Sequence, residues 1–280
     1  MQLDDCPGLA HWRALLALDF ERRGARTVLA ARSHDGPLVV QKVLHPEGEA
    51  VCHAIVVHPP AGLVGGDELE MRVGAGPGAS VLLTTPGAGK WYRSSGAWAR
   101  QHVSLEAKDG AHLEWLPQET ILFDGSLADI RWQANISASA RVISWEILCL
   151  GRTGSGERYA NGHCRIETRL VRDGRLAWVE RGHLAPGGRL AESQAGLAGA
   201  SVAGTMLAAA PAIDEATVDA CREFAPRSGE GALTRLPGVL LARYRGNSGE
   251  AARQYFTALW TVLRPALLGR EAIPPRIWRT

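Results

Sequence analysis

The sequence predicts a mainly β protein: one large β-rich domain that spans residues 1–280, with one or two α-helices near the C-terminus. Three observations predict it. Apolar and polar residues alternate through the middle of the chain, which is the period of a half-buried strand. Turn signals separate these stretches at intervals of roughly 8–12 residues. No Pro/Ser-rich linker divides the 280 residues, a length that one all-β domain commonly has.

The strands can be placed from this alternation. Asp109-Gly110 and Asp173-Gly174 supply turns between neighbouring strands. Such short, regularly spaced strands are typical of a sandwich, a barrel or a solenoid. The alternation is clearest in four segments: 102–107, 129–136, 163–170 and 175–182.

Helical spacing of apolar residues appears only late in the chain. From Ser248 onward the apolar residues recur every three or four positions, with Ser248 as the expected N-cap and Pro265 as the expected exit. A weaker pattern predicts a helix over residues 214–224. The uncharged run 195–213 is rich in Gly and Ala, so it predicts one or two buried strands that enter a turn at Pro211.

Composition indicates a soluble cytoplasmic protein without a membrane or nucleic-acid partner. The chain is 46% hydrophobic and 21% charged, with a formal net charge of +2, and its basic residues are scattered. The five cysteines never form a C-x-x-C pair, which favours a reducing compartment. The first residues carry acids and a proline where a signal peptide would be basic and then apolar.

The stretch TTPGAGKWYRS, residues 84–94, contains a Gly-Lys pair like that of a phosphate-binding loop. Such a loop needs G-x-x-x-x-G-K-[ST], because glycine amides hold phosphate and the hydroxyl holds Mg²⁺. Here Thr84 stands at the first glycine position and Trp91 follows Lys90. The stretch therefore predicts a turn between strands. Lys90 and Arg93 are expected to form ion pairs with acids or to contact a partner protein.

The stretch GAGPGA, residues 74–79, fits part of a dinucleotide fingerprint. That fingerprint requires a helix directly afterwards and an acidic residue about twenty positions later. A strand-like sequence closed by Pro86 follows instead, and the interval from Glu70 to Glu106 contains no acid. A glycine-rich turn is the better interpretation.

Known hydrolase signatures are missing from the sequence. It contains neither the G-x-S-x-G elbow nor the H-E-x-x-H zinc helix. The tightest His/Cys group comprises Cys52, His53 and His58, for which strand alternation favours structural roles.

Acids within apolar stretches are the stronger candidates for chemistry. A carboxylate removed from water must be paired, hydrogen-bonded, neutralised or bound to a cation. Pairing with arginine or backbone amides and a polar path through the interior both remain open for these residues. They are Asp67, Glu119, Glu146 and Glu180.

Several long motifs occur in an order that resembles the urease accessory proteins of the UreD type, also called UreH. The resemblance covers roughly residues 12–265, whereas residues 266–280 match no motif and are expected to be a flexible tail or a partner-docking segment. The motifs are HPPAGLVGGDELE (58–70), TTPGAGKWYRS (84–94), LEWLPQETILFDG (113–125), WEILCLGRTGSGE (145–157) and ER (180–181).

This resemblance implies a non-enzymatic maturation factor with helix-like winding of its strands and a pair of late helices. Such a factor binds apo-urease and a UreF-type accessory protein, through which a UreG-type GTPase docks to insert nickel. It implies no tightly bound cofactor, only nickel in transit along an interior path. Two alternatives stay open: a β-rich hydrolase that uses the embedded carboxylates, and a purely structural β protein. The residues expected along the path are Asp67, Glu119, Glu146, Glu180 and His58.

Overall fold

Strands and helices follow one another in an order that is mainly β. The computed structural model describes residues 12–279. Its strands are β1 (Arg13–Arg23), β2 (Arg26–Asp35), β3 (Val39–Leu44), β4 (Cys52–Val57), β5 (Glu68–Ala75), β6 (Ser80–Thr84), β7 (Gly89–Trp91), β8 (Ala99–Ala107), β9 (His112–Trp115), β10 (Thr120–Leu122), β11 (Leu127–Ile136), β12 (Arg141–Leu150), β13 (His163–Arg172), β14 (Arg175–Leu184), β15 (Val202–Ala209), β16 (Glu230–Leu236) and β17 (Val239–Gly246). The α-helices are α1 (Arg189–Glu192), α2 (Glu215–Arg222) and α3 (Gly249–Leu263).

The strands form two sheets, and from β4 to β13 the chain alternates between them. Sheet A has the order β14-β13-β11-β8-β5-β1-β2, and sheet B has the order β16-β17-β15-β12-β9-β6-β4-β3, with β10 beside β12 and β7 beside β10. Neighbours β5, β8, β11 and β13 pair in parallel in sheet A, as do β4, β6, β9 and β12 in sheet B. Each turn of the winding thus adds one strand to each of these two parallel rows, and two of the turns also contribute a short extra strand to sheet B, β7 and β10. This solenoid-like arrangement confirms the predicted fold class of one β-rich domain with helix-like winding.

The space between the sheets contains the main hydrophobic core. The alternation in the sequence correctly predicts which side chains enter it, since Val103 and Leu105 of β8 and Ile130 and Ala134 of β11 are all buried there. Burial of these inward side chains is the main favourable contribution to holding the two sheets together.

A second core lies between the outer face of sheet B and the late helices. The predicted helix starts as expected, because the Ser248 hydroxyl accepts a hydrogen bond of 3.1 Å from the Ala251 amide and thereby caps α3. Asp214 caps α2 in the same way through the Thr217 amide, at 2.8 Å. Both predicted helices are therefore confirmed.

The expected exit at Pro265 is confirmed for the α-helix, because α3 ends at Leu263 with Arg264 as its C-cap. The chain continues through a π-helical turn, Arg264–Leu268, and leaves the helical conformation at Gly269, whose φ of 65° is left-handed. Pro265 has no N–H to donate to the preceding turn, so the α-helical hydrogen-bond pattern cannot continue through it, and a π-helical turn follows.

The end of the chain packs against the second core. The Trp278 indole N–H donates to the Thr84 hydroxyl at 2.8 Å, and its ring lies 5.5 Å from that of Trp145 and 5.7 Å from that of Trp260. These contacts replace the expectation of a flexible tail for residues 266–279, while the docking alternative stays a prediction.

The two glycine-rich stretches are turns between strands. Residues 76–79 join β5 to β6, and residues 85–88 join β6 to β7, so a helix follows neither of them. Arg93 pairs with Asp124 at 3.2 Å, and pairing with an acid is one of the two roles expected for it.

The uncharged run 195–213 contributes one strand, β15. Within residues 12–279, no helix combines the length and the apolar character needed to cross a membrane.

Candidate functional site

Two cavities lie between the sheets and adjoin at one side chain. The first has a volume of about 210 Å³, and the second has a volume of about 550 Å³. Most residues that line the first cavity are apolar, and its polar lining residues are His58, Thr85, Lys90, Gln101, Gln118, Thr120 and Glu146. Another polar set lines the second: Glu146, Thr168, Glu180, Thr205 and Arg243. Because Glu146 lines both cavities, it is the side chain at which they adjoin.

Strand β12 directs Glu146 into this space. Its odd-numbered residues, such as Trp145, belong to the second core, whereas Leu148 packs between the sheets on the same side as Glu146. The Thr120 hydroxyl donates to the Glu146 carboxylate at 2.6 Å. Within residues 12–279, this carboxylate forms no ion pair with a lysine or an arginine.

Burial controls the charge of Glu146. It raises the pKa of the carboxyl from its ordinary value of 4.5 to about 7, and the Thr120 hydrogen bond opposes only part of that shift. The side chain keeps some accessible surface, but that surface faces the cavities. Since the carboxyl exchanges its proton near neutral pH, it can take up either a proton or a cation.

Glu180 also lines the second cavity, but it has a counter-ion. The Arg243 guanidinium holds the carboxylate through two hydrogen bonds, one of which joins Nη2 to Oε2 at 3.0 Å. Arg243 also reaches the Thr205 hydroxyl at 3.3 Å. A cation could therefore bind Glu180 only if Arg243 moved away.

His58 and Asp67 lie near the first cavity, with different roles. The buried Asp67 accepts hydrogen bonds from the Trp12 amide at 3.1 Å and the Val64 amide at 2.9 Å, so backbone donors satisfy it. His58 lines the cavity, and its buried Nε2 has no hydrogen-bond partner. Burial lowers the pKa of His58, although the Asp67 charge partly opposes this. A neutral imidazole with a free ring nitrogen is the form that binds metals.

Glu119 lies outside both cavities. Its carboxylate pairs with the Arg253 guanidinium of α3 at 3.0 Å, next to Cys149, on the side of sheet B that the helices cover. Three of the five sequence-predicted residues thus line the cavities, namely His58, Glu146 and Glu180, whereas Asp67 and Glu119 are paired elsewhere. Within residues 12–279, no three His, Cys, Asp or Glu side chains form a metal cage.

Comparison with known proteins identifies the family. The family model described as UreD urease accessory protein matches residues 13–279. This chain belongs to the UreD family. A urease accessory protein UreD from Azoarcus sp. (strain BH72) is 55% identical over 269 residues, which cover 96% of this chain and 94% of that protein. Proteins of the same name from Dechloromonas aromatica and Nitrosococcus oceani are 52% and 49% identical over 96% of this chain, and the matches cover 95% and 90% of their own lengths.

Membership of the UreD family supports a role in urease maturation and confirms the resemblance on which that expectation rested. The family match also extends past residue 265 to residue 279, so it includes the segment around Trp278 for which the motifs offered no counterpart.

Sequence reasoning missed the threonines that line the two cavities in this UreD-family chain. Thr120, Thr168 and Thr205 stand on strands, where threonine is common for reasons of backbone preference alone. Only their position on the inner faces of the sheets, beside Glu146, distinguishes them from other strand threonines. That position depends on how the strands pair, which the sequence alone does not show.

It also missed a cluster of buried charges on the other face of sheet B. Arg264 is fully buried, and its guanidinium contacts Glu114 at 3.0 Å and Glu47 at 2.6 Å. Glu114 accepts a further bond of 2.6 Å from the Trp260 indole, and Glu47 accepts one of 2.5 Å from His53. Burial alone would raise the pKa of Glu47, but His53 and Arg264 outweigh it and lower that pKa. This cluster is a closed ionic network.

Proposed function

We propose that this chain is a urease maturation factor that carries nickel, as cargo, between its two sheets toward apo-urease. It works in the cytoplasm in a complex with a UreF-type accessory protein and a UreG-type GTPase. The chain catalyses no reaction itself and keeps no cofactor. The observation that carries this proposal is Glu146, an enclosed carboxyl without a cationic partner, at the point where two cavities adjoin.

The chemistry of the lining suits a passage. Ni²⁺ accepts carboxylate and imidazole ligands, and affinity for it is high where several of them converge. Glu146 and His58 instead offer single ligands that are not gathered into a cage, so an ion can be bound and released. With a pKa of about 7, Glu146 carries a proton part of the time at neutral pH, and an arriving cation displaces that proton.

The two cavities offer different groups to an ion. The first cavity contains the free nitrogen of His58, whereas the second contains Glu180, which Arg243 already neutralises. Each cavity is also lined by a basic side chain, Lys90 in the first and Arg243 in the second, so a cation at Glu146 meets positive charge on both sides. Passage through the second cavity requires the ion pair between Arg243 and Glu180 to break, so that Glu180 can bind the cation.

The maturation role is tested by mixing the purified chain with apo-urease and with the UreF-type and UreG-type proteins in the presence of Ni²⁺, bicarbonate and GTP. We expect them to co-elute, and we expect urease purified afterwards to contain nickel by mass spectrometry. Failure of the chain to bind either apo-urease or the UreF-type protein would contradict the maturation role itself.

The passage is tested separately by Glu146→Gln, which keeps the hydrogen bond to Thr120 but removes the charge. We expect unchanged assembly and at least a tenfold loss of nickel in urease. Glu119→Gln is the matched control, since Glu119 lies outside both cavities, and it should leave nickel content as in the wild type. Normal nickel content with Glu146→Gln would rule out this passage but leave the maturation role intact.

A further inference from the structure

Two histidine side chains meet on the outer face of sheet A, away from the passage. His163 opens β13, and His183 is the last residue but one of β14. The Nδ1 atom of His163 lies 3.1 Å from the Nε2 atom of His183. Their rings stack with centroids 5.1 Å apart and planes 25° apart.

The pairing of the strands explains why both rings lie on this face. His183 is opposite Arg165, two residues beyond His163, while the neighbouring Cys164 and Leu184 form the next pair and are buried in the core. The two histidines are exposed, so an ion in solution can reach them.

An aromatic neighbour orients the pair. The Trp98 ring lies 6.5 Å from that of His163, and the Arg165 guanidinium covers the same indole at 4.1 Å. Within residues 12–279, the only hydrogen bond of each imidazole is to the other imidazole. A hydrogen bond between two exposed rings adds little to stability, because water would satisfy both nitrogens equally well.

We propose that His163 and His183 form a solvent-open binding site for one divalent transition-metal ion of the Ni²⁺, Cu²⁺ and Zn²⁺ class. Imidazole nitrogens bind such ions at about 2.0–2.1 Å, which places two adjacent ligands about 3 Å apart. The observed separation of 3.1 Å matches this spacing. The ring that donates its N–H moves that proton to its other nitrogen, so two lone pairs face the ion without net proton loss.

The remaining coordination positions belong to water or to a side chain of a bound partner protein. Two protein ligands make a weak, exchangeable site, suited to capture of an ion from solution. The site is independent of the proposed passage, because sheet A separates it from the second cavity, which Glu180 and Gly182 line from the inner face.

The test is titration of the purified chain with Ni²⁺ alone, by calorimetry. We expect His163→Ala and His183→Ala each to lose one Ni²⁺ equivalent, and the double variant to lose no more than either single one. The glutamine variants at both positions keep a hydrogen-bonding side chain and should lose the same equivalent. His34→Ala is the matched control, because it removes another exposed histidine of sheet A, and it should bind as the wild type does.

A second readout identifies the ligands directly. With one equivalent of Cu²⁺, the electron paramagnetic resonance spectrum should show coupling to two nitrogens in the wild type, and that pattern should disappear in His163→Gln. Glu146→Gln should keep both the Ni²⁺ equivalent and the spectrum, which separates this site from the passage. Wild-type binding by both single variants, or an equal loss in His34→Ala, would overturn the proposal.

Discussion

Glu114 and Glu146 are both enclosed acids of sheet B, yet they face opposite sides of it. Glu114 points toward the helices and meets the Arg264 guanidinium and the Trp260 indole. Glu146 points between the sheets and meets a single threonine hydroxyl. Burial raises the pKa of both carboxyls, but at Glu114 the Arg264 charge opposes that shift. Burial alone therefore does not distinguish the two acids. What distinguishes Glu146 as the candidate is that it has no cationic partner among residues 12–279.

The two arrangements have opposite energetic consequences. Removing one partner from a buried, hydrogen-bonded ion pair leaves an uncompensated charge, which is strongly destabilising. A solitary carboxyl is itself the uncompensated group, so replacing it with a neutral amide relieves the protein of that cost. The charges around Arg264 thus depend on one another for stability, whereas Glu146 lowers stability, and under the proposed function it does so in return for cation binding.

The largest effect is expected for Arg264→Met. This change leaves Glu114 and Glu47 without their shared counter-ion, and we expect the free energy of unfolding to fall by about 3–5 kcal/mol in urea titrations. Arg243→Gln is the control, since it breaks a more exposed pair with Glu180 and should cost only about 0.2–1 kcal/mol. Equal losses in the two variants would remove the distinction between the regions.

The next effect is a gain of stability in Glu146→Gln that depends on pH. Unfolded glutamate ionises near its ordinary value of 4.5, whereas the folded carboxyl keeps its proton up to a pKa of about 7. The folded state therefore binds more protons between these values, so the contribution of Glu146 to stability is lost as pH rises through this window. Glutamine has no such loss, and we expect the variant to exceed the wild type by at most about 3 kcal/mol at pH 8.

Urea titrations at pH 5 and pH 8 check this gain. The difference between Glu146→Gln and the wild type should be larger at pH 8. Glu119→Gln, which removes an acid already paired with Arg253, should show no gain at pH 8. A difference that is the same at both pH values would show that Glu146 is not held protonated.

A smaller effect is expected for Trp278→Ala on the Glu114 side of sheet B. The half-buried Trp278 packs against Trp260, which donates to Glu114, and its own N–H reaches Thr84. We expect a loss of about 2 kcal/mol, below that of a fully buried tryptophan. Ile273→Ala changes an exposed residue of the same segment and should stay within about 0.5 kcal/mol of the wild type. If Trp278→Ala lost no more stability than Ile273→Ala, the end of the chain would not be part of this core.

Local patterns in the sequence were sufficient for the strands and for helix α3, because alternation and capping depend on near neighbours. The same patterns identified Glu146, since an acid within an apolar strand is conspicuous. They could not show which acids have partners. Arg243 is 63 residues from Glu180, and Arg253 is 134 residues from Glu119. Such pairs depend on how the winding sets strand against strand, which came from the family resemblance and not from periodicity.

The cluster around Arg264 shows the same limit more sharply. Arg264 lies 150 residues from Glu114 and 217 from Glu47. Its place beside Pro265 indicated only the end of a helix. The π-helical turn that carries it into the second core has no recognisable signal in the sequence.

The most direct test of the central claim is the titration of Glu146 itself, followed by ¹³C NMR of the labelled glutamate carboxyls and assigned with Glu146→Gln. The account predicts one carboxyl resonance that titrates near pH 7 and that Ni²⁺ shifts to a lower midpoint or broadens. A Glu146 resonance that titrates near 4.5, or that Ni²⁺ leaves unchanged, would contradict the claim that this carboxyl lacks a partner and is available to a passing cation.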